Sequence, residues 1–142
     1  MTVENSQPTA SQALFQRQVE GLLIGLRSNE LPPRGLAGEL DWRFEGQISQ
    51  FLKKGFIQGR AGECIYLPVL RAETTYHLIL FGLGDTPIKS LPKDSLKTLQ
   101  NNIQKMGIKK FGISKKDFGD SLTQIESLFS DKNQEGEVWM LP

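Results

Sequence analysis

Cysteine and histidine are nearly absent from these 142 residues, with one of each, Cys64 and His77. A lone cysteine excludes an internal disulfide and any cysteine-based metal cluster. A lone histidine, with no nucleophile and acid at telling spacings, offers no Ser-His-Asp triad. No H-E-x-x-H or comparable ligand spacing occurs. A dominant charge is missing as well: 17 basic and 16 acidic residues leave +1, so no global field draws the chain to nucleic acid or membrane. Apolar runs fall far short of the roughly 18 residues of a membrane helix. The opening MTVENSQPTASQ has no basic segment leading into an apolar one, so a secretory signal is not expected. These absences point to a cytoplasmic protein with no metal site and no cofactor; the single cysteine fits a reducing compartment.

What is present is an ordinary globular composition, 38% hydrophobic and 23% charged. The length suits one domain that buries roughly 70% of its unfolded surface. Residues 1–12 lack apolar content and read as a flexible tail, leaving 13–142 as a single domain. ALFQRQV has a weak strand pattern. EGLLIGLR (20–27) is a short apolar run of the kind buried on both faces of a parallel sheet. After the loop SNELPPRG, the spacing of Leu36, Leu40, Phe44, Ile48, Phe51 and Leu52 predicts one helix, stopped at Gly55. ECIYLPVL reads as a strand ended by Pro68, and YHLILFGLGD (76–85) is the strongest strand signal. A helix over about 92–106 carries Leu96, Leu99, Ile103 and Met106. IKKFGIS is a further short strand, and a last helix covers about 117–129, with Phe118, Leu122, Ile125, Leu128 and Phe129 inward and Asp117 as its N-cap. DKNQEGEVWMLP closes as a turn and a short apolar end. Helices between strands imply crossovers. The expected fold is a three-layer α/β/α sandwich with a mixed, largely parallel sheet, in which YLP and YHL form either crossover strands or a hairpin.

Three stretches invite a functional reading. In FGLGD, Gly82 and Gly84 follow a buried strand, where bare backbone can approach a phosphate. The full G-x-G-x-x-G is absent, however, and a tight turn needing positive φ explains the same residues. In Asp41-Trp42-Arg43, successive helix positions point about 100° apart, so the three side chains cannot converge. Trp42 leans off the apolar stripe and either covers a loop or meets a partner, and Arg43 is placed to pair with Glu39 or Gln47, four residues either way; Trp42 and Arg43 are the interface candidates. Lys105, Lys109, Lys110, Lys115 and Lys116 gather around one strand, but interleaved acids make an ordinary solvated edge the better reading than a nucleic-acid surface.

The run RGLAGELDWRFEGQISQFLKKGFIQGRAGECIYLP followed by YHLILFGLGD resembles the N-terminal domain of leucyl aminopeptidases. The matching pieces are Asp41, Gly46-Gln47-Ile48-Ser49, then Lys54, Gly55, Gly59, Gly62 and Glu63, then Gly82-Leu83-Gly84; together the likeness covers about residues 13–130. The resemblance implies a macro-domain-like fold. In that family the metal ligands and catalytic residues belong to a larger C-terminal domain, and its hallmark Asn-Thr-Asp-Ala-Glu-Gly-Arg does not occur here, so no catalytic or metal-binding residue carries over. The implied role is non-catalytic: assembly, regulation or partner binding, by self-association or with a separate protein. The alternative is a module for a small ADP-ribose-like nucleotide, held at the C-terminal ends of the strands by Arg34, Gly35 and Gly38 on one side and Gly82, Gly84 and Asp85 on the other. Peptidase activity and nucleic-acid binding rank below both.

Overall fold

The alternation of buried side chains along two central strands sets the architecture. In the computed structural model, which describes residues 8–28, 33–85, 93–107, 109–119, 122–128 and 137–142, β1 (Gly21–Arg27) and β3 (Thr74–Gly84) lie side by side and parallel. Leu22, Ile24 and Leu26 of β1 point to one face with Leu78 and Leu80 of β3, while Leu23, Ile79, Phe81 and Leu83 point to the other. Two separate cores result. The first is closed by α1 (Ala10–Phe15), α2 (Gly35–Arg43) and α3 (Gln47–Lys53), through Leu14, Ala37, Leu40, Phe44 and Ile48. The second is closed by α4 (Lys93–Met106), α5 (Lys115–Phe118) and α6 (Leu122–Leu128), through Leu96, Leu99, Ile103, Phe118 and Ile125. Each fully buried side chain of this size contributes roughly 1.5–3 kcal/mol.

The sheet has five strands in the order β2-β3-β1-β4-β5, with β2 (Cys64–Arg71), β4 (Lys110–Ser114) and β5 (Glu137–Leu141). β3, β1, β4 and β5 are mutually parallel and β2 is antiparallel to β3. This is the expected α/β/α sandwich with a mixed sheet, and the hairpin is the form taken by YLP and YHL.

Several elements differ from expectation, each for a local reason. ALFQRQV is not a strand: Thr9 and Gln12 form a reciprocal capping box, and Ala10, Ala13 and Leu14 bury one side of α1. Residues 10–12 of the expected tail therefore belong to a helix; residues 1–7 lie outside the described part. The predicted long helix is two, because Glu45 (φ 58°) and Gly46 (φ 82°) turn the chain between α2 and α3. The stripe continues across the break since Leu40, Phe44 and Ile48 all stay in one core. β2 runs through Pro68. His77, opposite Pro68, directs its N–H to the Glu20 carbonyl on the β1 side (3.4 Å), so the missing Pro68 N–H would have faced outward, where nothing needs it. The last predicted helix is likewise two, and the apolar end at 137–141 is a fifth strand. Phe129, Pro87, Pro92 and the side chains of Met106 and Leu128 lie outside the described residues.

Candidate functional site

β1, β3 and β4 are parallel, so their C-terminal ends lie at one end of the sheet, the place where open α/β sheets leave a crevice. β1 ends at Arg27 with a register shift against β3 that sets Arg27 opposite Gly84. Ser28 then ties the two exits together: its N–H donates to the Gly84 carbonyl (3.0 Å) and its Oγ to the Gly59 carbonyl (3.0 Å).

Gly82 and Gly84 serve the packing of main chain against main chain. The segment 59–63 folds over the end of β3, where the Gly82 N–H donates to the Glu63 carbonyl (2.7 Å), the Gly84 N–H to the Gly59 carbonyl (2.8 Å), and the Gly62 N–H to the Gly82 carbonyl (3.0 Å). A Cβ at Gly82 would collide with the Arg60 carbonyl, and Gly84 adopts φ 78°. Both amides are thus engaged by the 59–63 segment. Glu63 holds that segment by accepting the N–H of Gln58 (3.1 Å) and Arg60 (2.6 Å) on its Oε1. Asp85 follows, exposed.

Arg34, Gly35 and Gly38 form the start of α2. Arg34 is the extended N-cap residue, exposed and without a side-chain cap bond; Gly35 (φ 64°) stands in open space; Gly38 lies so close to the Pro33 carbonyl that a Cβ would sit 2.5 Å from it. Because α2 follows β1 and Gly82–Asp85 ends the neighbouring β3, both groups belong to the same end of the sheet.

A residue that spacing did not mark as part of this end is Asp117. β4 pairs with β1 only over Gly21–Leu23 and then turns into α5. The N–H of Gly25 is left without a strand partner on that side, and the Asp117 Oδ2 accepts it at 2.8 Å. Asp117 is therefore a latch between α5 and β1 rather than the N-cap expected for it. Burial pushes its carboxyl up to about 6, against the opposing pull of the Gly25 amide and the Arg27 charge. Gly25 has no Cβ because one would meet Leu83 at 2.5 Å and the Asp117 Cβ at 3.1 Å.

Asp41, Trp42 and Arg43 diverge, as helix geometry requires. Asp41 reaches α3, accepting the Ser49 N–H on Oδ1 (2.7 Å) and the Ser49 hydroxyl on Oδ2 (2.5 Å), and so satisfies an amide in the first turn of α3. Arg43 pairs with Glu39 (3.6 Å) and lies over the Phe15 ring, 5.3 Å from its centroid. Trp42 is 81% exposed. His77 and Cys64 are structural: the His77 Nδ1 meets the Tyr66 hydroxyl at 2.6 Å, and the Cys64 thiol, pushed up to about 11 by burial, accepts from Asn102 (3.3 Å). The five clustered lysines are all exposed. Among the described residues no three His, Cys, Asp or Glu side chains gather as a metal site, and no helix is long and apolar enough to cross a membrane.

No family model matches the chain. It is 39% identical over 64 residues to the probable cytosol aminopeptidase of Synechococcus sp. strain WH7803; that stretch is 45% of this chain and 12% of the relative. Among solved structures, the macrodomain of Thermus aquaticus DarG is similar at a TM-score of 0.64 and 15% identity, covering 91% of this chain and 93% of that one. A tomato leucine aminopeptidase mutant is similar at 0.61 and 16%, over 92% of this chain and 31% of the enzyme. Thermosipho africanus DarTG in complex with ADP-ribose is similar at 0.60 and 12%, over 89% and 39%. The chain is thus macrodomain-like in fold, and over part of its length it resembles a cytosol aminopeptidase in sequence.

Proposed function

We propose that this chain is a non-catalytic domain of the leucyl aminopeptidase N-terminal type, acting in the cytoplasm by association with itself or with a separate protein. The observation that carries the reading is Trp42. A tryptophan 81% exposed on α2 is a large apolar surface with a hydrogen-bonding edge, the residue type that most often anchors an interface. Its setting is rigid: Asp41 fastens α2 to α3 on one side and Arg43 is held by Glu39 and Phe15 on the other, so little further ordering is lost on binding. Sedimentation equilibrium at rising concentration tests it. The expected result is a species heavier than the 15.9 kDa chain, or a co-purifying partner, lost in Trp42→Lys with the circular dichroism unchanged. A monomer without partner at every concentration contradicts the reading.

A second reading, binding of an ADP-ribose-like nucleotide in the crevice, is supported by the Thermosipho neighbour's bound ligand. Arg34, exposed at the start of α2, would supply the charge for a diphosphate. It ranks second because the Gly82 and Gly84 amides are engaged and because Asp85 and Asp117 bring acid groups to the same end of the sheet. Thermal melting with ADP-ribose tests it: ligand at 100 times Kd stabilises by about 2.7 kcal/mol, and Arg34→Ala reduces that gain. No shift at millimolar ligand contradicts it.

A further inference from the structure

Three of the six arginines of the chain meet at one corner of the first core, brought there by three different elements. Arg71 and its hairpin partner Thr74 share the sheet face of Val69, Tyr76 and Leu78, the face that α1, α2 and α3 cover. Phe15, the last residue of α1, packs there on Phe44 and Tyr76, with ring centres 5.3 and 5.4 Å away. Two cations lie over the Phe15 ring. Arg43, the last residue of α2, has its guanidinium carbon 5.3 Å from the ring centre, and Arg71, the last residue of β2, has its own at 5.1 Å. Arg17, just past α1, directs Nη1 to the Thr74 hydroxyl at 3.5 Å, which sets a third guanidinium beside the end of β2.

The charge at this corner is not balanced. Glu39 is the one carboxylate paired with any of the three among the described residues, 3.6 Å from Arg43, and it also accepts the Ser11 hydroxyl. Glu45 and Glu73, in the two flanking turns, are exposed and join no ion pair among the described residues. That all three cations are arginines suits the setting. A guanidinium lies on a ring and keeps N–H groups at its edge for a bidentate pair with a carboxylate.

The surroundings narrow the class of anion. The main-chain N–H groups of Arg17 and Gln18 turn back to the Leu14 and Ala13 carbonyls, so they are not turned outward to cradle a single phosphate. Phe15, Phe44 and Tyr76 pack on one another, and Phe15 lies beneath the arginines, which leaves no ring face here for a base to stack on. What remains is a set of separate cations around one ring. Alternate carboxylates of an extended segment, about 7 Å apart, can each reach one of them.

We propose that this corner receives an acidic segment of a partner protein, its glutamate or aspartate carboxylates paired with Arg17, Arg43 and Arg71. The proposal deepens the association reading and rests on it, naming the separate protein by its charge.

Fluorescence anisotropy with a short labelled peptide alternating glutamate and serine tests it, with the glutamine version of that peptide and a labelled oligothymidylate as comparisons. Arg71→Gln removes one cation from an exposed strand end. Arg17→Gly removes another at φ 63°, an angle that glycine accepts without strain. Lys97→Gln, at an exposed position of α4 across the sheet, removes the same charge elsewhere. The expected result is that the parent binds the glutamate peptide and not the glutamine one. Each arginine variant loses about fivefold in affinity, or about 1 kcal/mol, with the circular dichroism unchanged, and Lys97→Gln matches the parent. No binding of the glutamate peptide at millimolar concentration, an equal loss in Lys97→Gln, or tighter binding of the oligothymidylate overturns the proposal. Failure of the peptide leaves the sedimentation result with Trp42→Lys as it stands, so the two readings are judged apart.

Discussion

Asp117 supplies by one side chain the acceptor that a longer β4 would have supplied by its main chain. The substitution has an electrostatic cost, because a carboxyl that is ordinarily near 3.8 is pushed up to about 6 in the fold. Between those values the folded protein binds more protons than the unfolded chain, so stability falls as pH rises through the window. A shift of that size is worth about 2–3 kcal/mol. Asp117→Asn keeps an oxygen for the Gly25 N–H and removes the charge. Its expected urea stability at pH 7 exceeds that of the parent by up to that amount, with a flatter profile between pH 4 and 6. An unchanged profile would assign the pH dependence to other groups. None of this was legible in the sequence, because Gly25 and Asp117 stand 92 positions apart and become neighbours only once β4 stops short.

Elements were legible where burial is continuous and harder to read where a turn interrupts it. EGLLIGLR and YHLILFGLGD announce themselves because both faces of a central parallel strand are covered. The break between α2 and α3 leaves little trace, since the apolar stripe passes through it and Glu45 is not a residue that signals positive φ. For α1 a signal was present: Thr9-Ala-Ser-Gln12 has the spacing of a capping box, and it outranks the faint alternation of ALFQRQV. The β2–β3 hairpin shows the same economy in reverse. Its two-residue connection, Ala72 (φ 52°) and Glu73 (φ 66°), holds two positive φ values with neither asparagine nor glycine. Glu73→Gly relieves the second of these: roughly 1–2 kcal/mol of left-handed strain is removed, offset by the roughly 0.4–1 kcal/mol that glycine's freer unfolded chain costs, so a net gain is expected in urea unfolding. Ala72→Val, which adds a β-branch at positive φ, is expected to lose stability.

The whole molecule is two cores sharing one sheet. Because alternate residues of β1 and β3 belong to opposite cores, neither core can be lost while the other keeps its strands. Unfolding in urea is therefore expected to be a single transition. The two tryptophans report it from different places, Trp42 on α2 and Trp139 on β5, and the midpoint seen by Trp139 alone in Trp42→Phe should coincide with that of the far-ultraviolet circular dichroism. Non-coincident midpoints would mean that the two faces come apart separately. At this scale the layered fold and the mixed sheet were readable from the order of apolar runs, and so was the grouping of Arg34–Gly38 with Gly82–Asp85 at one end. The use already made of the Gly82 and Gly84 amides was not, because it depends on how closely 59–63 lies against β3.

Pro68 has a bearing on what kinds of assembly this molecule can enter. It places a residue with no N–H at an outward position in the middle of β2, on the side where a visiting strand would look for a donor. Recruitment of another chain strand by strand, the mode that propagates into fibrils, is thereby discouraged along this border. Copies that meet through the same α2 surface on each, about a two-fold axis, would instead form a closed pair.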